Sequence, residues 1–340
     1  MSNLPPSGEI PRGAIRFNTD SNKPELWDGS QWAEFQLSTP NLGRSVDTQP
    51  GARGIFGGGS NPDSSPIDRT TIDYLNISST GDAQDFGDLT TGRANPGCCS
   101  SQTRAVWLGG EAPGVNDQID FVTISSTGNA VDWGVNLDTS RRYLMGCGNQ
   151  TRGIFGGGGT PGTTNVIQYI TIAQTGTRND FGDLTVDNMV NAGACSNSIK
   201  GVFIDGNSIT AGRQIQAVNI ASTGNAQNFG DVVNTGDASR SCANTVRGLV
   251  AGAGRSNTIE YVTMSSLGNS TDFGDLSEAR YPGGATGDKV RAIFAGGWTP
   301  TIVNTVDYVE FMSQGTAVDF GNLSDTRRES GAGSNAHGGL

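Results

Sequence analysis

The chain has 340 residues and a formal net charge of -11, with 22 Lys and Arg against 33 Asp and Glu. That balance argues against nucleic-acid phosphates and anionic membrane surfaces as partners, since both recruit basic patches. Glycine contributes 51 residues and proline 13, below the combined share of a low-complexity disordered chain and typical of an ordered fold crowded with turns.

No apolar run approaches the length that spans a bilayer, and MSNLPPSGEIPRG lacks the basic and then apolar plan of a signal peptide. The five cysteines form an odd set, compatible with a reducing compartment rather than a disulfide framework. Synthesis in a cytoplasm and no membrane insertion are therefore expected.

The first elements lie between Gly13 and Phe35, where AIRFN, ELWD and QWAEF are separated by a polar turn and by Asp28-Gly29. This predicts a three-stranded meander within an N-terminal segment of residues 1–43. So small a sheet is not stable alone, and it exposes Phe17, Trp27, Trp32 and Phe35 unless something covers them. These four are the candidate docking residues.

From residue 44 onward the chain repeats itself. Asp85-Phe86-Gly87 returns as Asp132-Trp133-Gly134, Asp180-Phe181-Gly182, Asn228-Phe229-Gly230, Asp272-Phe273-Gly274 and Asp319-Phe320-Gly321, at steps of 47, 48, 48, 44 and 47 residues. The same step carries RGIFGGG from Arg53, with counterparts at Arg104, Arg152, Lys200, Arg247 and Arg291, and the alternating segments IDYLNI, IDFVTI, IQYITI, IQAVNI, IEYVTM and VDYVEF. Turn words such as STGNA follow, in which Gly with Asn supplies a positive φ. Each unit reads as four antiparallel strands, a to d, without helical periodicity. Six such units predict an all-β, six-bladed β-propeller of four-stranded blades over residues 44–340.

Strand a is expected on the crowded inner side and carries small residues, with Cys99, Cys147, Cys195, Cys242 and Thr286 at equivalent positions and Cys98 beside the first. Their step of about 48 residues favours packing over zinc ligation. Two segments compete to complete the first blade, Arg44 to Ala52 and Ser330 to Ala336. The second matches GACSN of the third repeat better, so 330–336 is expected to close the ring and remove an open edge.

The recurrent aromatics Phe86, Trp133, Phe181, Phe229, Phe273 and Phe320 are expected to fill the gaps between blades. The Asp of the same word is expected to accept turn amides or to pair with Arg93, Arg141, Arg280 and Arg327 across blades. A kinase-like magnesium role for Asp-Phe-Gly fails on inventory: His337 is the one histidine, and no HRD-type loop exists. The glycine run after strand b lacks the GK[ST] and following helix of a phosphate loop. No catalytic residue, cofactor or metal ligand is singled out, and calcium in the acidic turns is left open. The b-c loops vary most, which makes their face the candidate partner surface. Trp298 is its candidate anchor, either stacking on a partner or packing over its own strand ends, and Arg213 and Arg255 are further loop candidates.

The N-terminal GAIRFNTD…LWDGSQW resembles the G-x-I-R-[FY]-N-T…[WY]-D-G-x-x-W element of structural and fibre proteins in tailed phages of marine cyanobacteria. The sixfold GIFGGG…STGNAxDFGDL unit resembles the kelch-like propeller proteins of the same virions. The fourth unit departs from the pattern at Asp205, Ala217 and Asn228, and its blade is expected to be less regular. The resemblance implies a non-enzymatic virion component, localised in the particle, oligomeric there and partnered by other virion proteins. A second reading is a receptor-binding protein whose variable loops hold host surface glycan. A glycan-degrading enzyme is a third, for which no pair of acids stands out.

Overall fold

A computed structural model describes residues 10–18, 23–34, 51–159, 162–187, 191, 193–204, 213–234, 236 and 238–340. Candidate Phe35, the expected boundary at 43/44, Asp205 and most of the Arg44 to Ala52 segment lie outside them. The chain divides into two compact units, Met1–Gln49 and Pro50–Leu340. Among the described residues no helix is long and apolar enough to cross a membrane.

The first unit contains an antiparallel three-stranded sheet of Ile15–Asn18, Lys23–Trp27 and Trp32–Glu34. Its second turn is set by Asp28, whose Oδ1 accepts the amides of Ser30 at 2.7 Å and Gln31 at 2.8 Å. Gly29 takes the positive φ of 103° that the turn requires. The register pairs Ile15 with Leu26, and Leu26 with Ala33, so Ile15, Phe17, Leu26 and Ala33 share one face. The other face carries Arg16, Glu25, Trp27 and Trp32.

Among its described residues the second unit is all-β and propeller-like, built from six four-stranded antiparallel sheets, with a short 3₁₀ turn at Ala253–Arg255. Sheets II to VI cover residues 97–132, 145–183, 193–231, 240–275 and 284–322 in turn, each in chain order. Sheet I differs in that Arg53–Gly57, Thr71–Asn76 and Gln84–Asp88 are joined on their inner side by Gly331–Ser334. The inner strands touch one another in the order I, II, III, IV, V, VI and back to I.

Each strand follows its surroundings. Strand b, such as Arg152–Gly156, is buried at its last four positions and reads as an unbroken apolar run because sheets cover both its faces. Strand d, such as Gln84–Asp88, buries Phe86 while Gln84, Asp85 and Asp88 stay exposed. The inner strands use small side chains because the next sheet lies against them. A Cβ added to Gly201 would stand 3.0 Å from the sulfur of Cys147, and one added to Gly248 would stand 3.0 Å from that of Cys195. Each thiol thus occupies the space that glycine leaves on the following sheet.

Beyond Ser334 the C-terminal residues cross the inner strands. His337 Nε2 lies 2.9 Å from the Ser100 carbonyl of sheet II, and the Gly338 amide donates to the Ala243 carbonyl of sheet V at 2.9 Å. Asn335 Oδ1 accepts the Arg53 amide of sheet I at 2.8 Å. Deletion of residues 330–340 removes both the inner strand of sheet I and this crossing. A drop in thermal midpoint of several degrees is expected, at roughly 2–4 °C per kcal/mol for a domain of this order of size. An unchanged melting curve contradicts the pairing.

Candidate functional site

The recurrent side chains join neighbouring sheets. Phe86, Trp133, Phe181, Phe229, Phe273 and Phe320 are all buried, and Phe86 packs with Trp107, Val122 and Ile124 of the following sheet. In five sheets the ring meets a strand-c aromatic edge to face, as in Tyr74 with Phe86 at 5.8 Å between centroids. The strand-b arginine covers that aromatic in turn: Arg53 lies 4.7 Å over Tyr74 and donates to the Ile124 carbonyl of sheet II at 2.8 Å. In sheet IV Ala217 leaves the aromatic position vacant, and Lys200 leans over Phe229 at 5.6 Å instead.

The turn before strand d hydrogen-bonds the preceding sheet's strand d. Gly128 donates to the Phe86 carbonyl at 2.7 Å and Ala130 to that of Asp88 at 2.8 Å, while Gly81 of sheet I donates to Phe320 of sheet VI at 2.8 Å. This explains the glycine of the recurrent word. A Cβ on Gly87, at a φ of 143°, would stand 2.6 Å from the Gly128 backbone.

The arginines at the strand-d exits do not pair with the recurrent Asp, which corrects the expectation from sequence. Asp85, Asp132, Asp180, Asp272 and Asp319 are exposed. Arg93 instead pairs with Asp120, Arg280 with Asp307 at 3.0 Å and Arg327 with Asp73 at 2.8 Å, each acid lying on strand c of the next sheet with both partners at 0% side-chain exposure. Arg141 donates to Gln168 at 2.7 Å and to Asp138 at 2.9 Å. The acids are saturated further: Ser324 Oγ donates to Asp73 at 2.6 Å, and Thr90 Oγ1 to Asp120 at 2.6 Å. Sheet V has Glu260 at the same place, without an equivalent arginine, and its carboxylate accepts the Val233 and Asn234 amides at 3.1 and 2.6 Å. Sequence does hold the signal: Asp as the second residue of the words IDYLNI, IDFVTI and VDYVEF accompanies Arg in the preceding exit loop.

The loop candidates are only partly assembled. Trp298 is the last residue of the strand Arg291–Trp298 and is half-buried, rather than standing free on a loop. Past a bulge after Ala295 the strand keeps pairing with strand c, Trp298 opposite Ile302, and an isolated backbone bridge to Tyr281 accompanies a ring separation of 5.9 Å. The Arg255 guanidinium sits 4.0 Å over the Trp298 ring. Arg213 is exposed before the strand Gln214–Asn219 and is not part of this stack. In the N-terminal sheet Trp27 is buried against Trp32 at 5.4 Å, and Arg16 covers Trp32 at 4.3 Å, so Phe17 alone of the described docking candidates is mostly exposed.

Two cavities lie among the inner strands. One of about 60 Å³ is bounded at the strand-a starts by Asn95, Tyr143, Arg240 and Ser330. The other, of about 50 Å³, is lined by all five cysteines and His337. Burial pushes the Cys195 thiol up to about 12 and raises the other four thiols as well, so they are protonated and unreactive at neutral pH. Among the described residues no group of three or more His, Cys, Asp or Glu side chains is arranged to hold a metal. No protein-family model matches the chain, and a search of curated proteins gives no significant match.

Replacing Arg93 by Met leaves Asp120 buried without its counter-ion, and a loss of about 3–5 kcal/mol in chemical denaturation is expected. Adding Asp120→Leu should recover most of it. A loss below ~1 kcal/mol for the single variant contradicts a lock at this site. His337 gives a pH dependence. The Gly339 amide donates to its Nδ1 at 3.0 Å, so Nε2 carries the proton, and burial lowers its pKa from the ordinary value. The neutral ring's stabilisation is complete above the unfolded pKa of ~6.5 and is lost as pH falls toward the folded value. Amide exchange at Gly338 and Gly339 should therefore accelerate from pH 7.5 to pH 5.5 after correction for intrinsic rates, and His337→Gln should remove that pH dependence.

Proposed function

We propose that Pro50–Leu340 is a closed six-bladed β-propeller, and that the chain is a non-enzymatic structural protein of a phage virion. In this reading the N-terminal segment seats it against other virion proteins. The propeller then serves as a rigid assembly or surface module of the tail, fibre or head. Closure is supported by the cyclic order of inner-strand contacts and by the pairing of Gly331–Ser334 with Arg53–Gly57.

The observation that carries the functional reading is the fate of the repeated side chains. The buried aromatics, strand-b cations and strand-c acids described above bridge neighbouring sheets, which is what a scaffold requires of them. Docking through the first unit is supported by Ile15 and Phe17, 67% and 59% exposed on the same sheet face. Adjacent exposed apolar side chains on one sheet face are the kind of contiguous patch that a partner covers. The test is incorporation. A chain lacking residues 1–43 should melt cooperatively in isolation yet be missing from purified particles, whereas the full chain is recovered in them. Equal recovery of both overturns the docking role.

A second reading, receptor binding through surface glycan, is favoured by the Arg255, Trp298 and Tyr281 stack beside the variable loops. Glycan binding that Trp298→Ala abolishes would support it over the purely structural role.

A further inference from the structure

We propose that the cavity at the strand-a starts, which opens to solvent, is a binding site for the carboxylate end of a small hydroxy-carboxylate, such as a uronate residue, the rest of which extends into the opening, with Arg240 as its anion-binding group. The proposal stands whether or not the chain is a virion protein. Arg240 donates to three neutral oxygens: the Gly283 carbonyl at 3.2 Å, the Ser239 carbonyl at 2.9 Å and Asn191 Oδ1 at 3.3 Å. No carboxylate of the described residues is within ion-pair distance of it. The contrast with Arg93, Arg280 and Arg327 is direct, because each of those fully buried arginines has its own aspartate. Arg240 retains part of its surface on the cavity. A guanidinium in such surroundings is the natural counterpart of a planar oxyanion, which it can grip with two parallel hydrogen bonds.

Two further groups at the cavity wall lack partners. Asn95 and Ser330 are each 5% exposed, and both Asn95 Oδ1 and Ser330 Oγ are without a hydrogen bond. Buried polar atoms are nearly always paired, so these two await a donor and an acceptor that a hydroxylated acid supplies. Ser330 Oγ can donate to the ligand, and Asn95 Oδ1 can accept from a hydroxyl. Tyr143 adds an aromatic surface on which the C–H face of a sugar can rest. A uronate supplies hydroxyls for Asn95 and Ser330 and an apolar ring face for Tyr143, whereas inorganic phosphate has no such face and is the weaker ligand.

The corners above the cavity point the same way. Glu329, Asn95, Tyr143, Asn191 and Ala238 occupy equivalent places in the exit loops of sheets VI, I, II, III and IV, with φ of 62°, 52°, 59°, 53° and 65°. A left-handed corner costs a residue with a Cβ about 1–2 kcal/mol. Among the described residues glycine fills 25 other positive-φ positions, yet here side chains are retained, three of them on the cavity.

The experiment is titration of the full chain with sodium D-glucuronate, followed by calorimetry and by thermal shift, with glucose and inorganic phosphate as controls. Glucuronate should bind and raise the midpoint, glucose should not, and phosphate should bind more weakly. Arg240→Gln should weaken glucuronate on the order of thirtyfold or more, and Asn95→Leu a smaller but measurable amount. Trp298→Ala should leave it unchanged, which separates this site from the aromatic stack. If Arg240→Gln fails to fold, Asn95→Leu and Ser330→Ala carry the test, since either must weaken binding. Absence of glucuronate binding at millimolar concentration, or binding indifferent to both Asn95→Leu and Ser330→Ala, overturns the proposal.

Discussion

The buried arginine that crosses from one sheet to an aspartate on the next is the constraint around which the second unit is organised. An unpaired ion at such depth is destabilising by several kcal/mol, so Arg93 and Asp120 each require the other in place. Because partners belong to consecutive sheets, the requirement fixes their relative position as well as their presence. Bulk apolar packing tolerates sliding, whereas a guanidinium directed at one carboxylate does not. The Thr90 and Ser324 hydroxyls on these acids then fix the exit loops, and with them the corners that lead into the inner strands.

Around that lock the remaining contacts are ordered by distance from the inner strands. Small residues and thiols pack closest in, strand-b arginines and edge-to-face rings fill the middle, and backbone bonds from the glycine-bearing turns join the outer strands. Each layer tolerates a different kind of change. Loss of the strand-c ring at Ala217 leaves the neighbouring strands of sheet IV intact, since their backbone ladders and buried apolar runs persist without it. Replacement of a recurrent glycine cannot be accommodated in that way, because the obstacle is main chain.

Much of this was legible in the sequence because the repeat isolates each position six times over. Strand identity followed from alternation, the inner strand from its small residues, and the role of Phe86 and its counterparts from size and recurrence. The Arg partner was misread because the acid nearest in sequence, Asp85, is not nearest in space: strand d exposes it, and the next sheet presents Asp120. Trp298 was misread as a loop residue because Gly296-Gly297 reads as the end of strand b, whereas those glycines form a bulge beyond which Trp298 still pairs with Ile302 of strand c. The cavity around Arg240 was invisible for a related reason. Its members, Asn95, Tyr143, Asn191, Arg240 and Ser330, meet where the strand-a starts converge and belong to no recurrent word of the sequence.

The joining of Gly331–Ser334 to Arg53–Gly57 has a consequence for biogenesis. Sheet I lacks its inner strand from the time Gln84–Asp88 emerges until Gly331–Ser334 is made, an interval on the order of tens of seconds at usual elongation rates. Throughout that time the inner edge of Arg53–Gly57 offers unpaired amides and carbonyls to any passing strand. Sheets II to VI can complete themselves as they emerge, whereas sheet I waits, and a second nascent chain is the nearest source of a substitute. Crowding on polysomes thus sets the risk of exchanged strands between copies, and the C-terminal residues end that risk when they arrive.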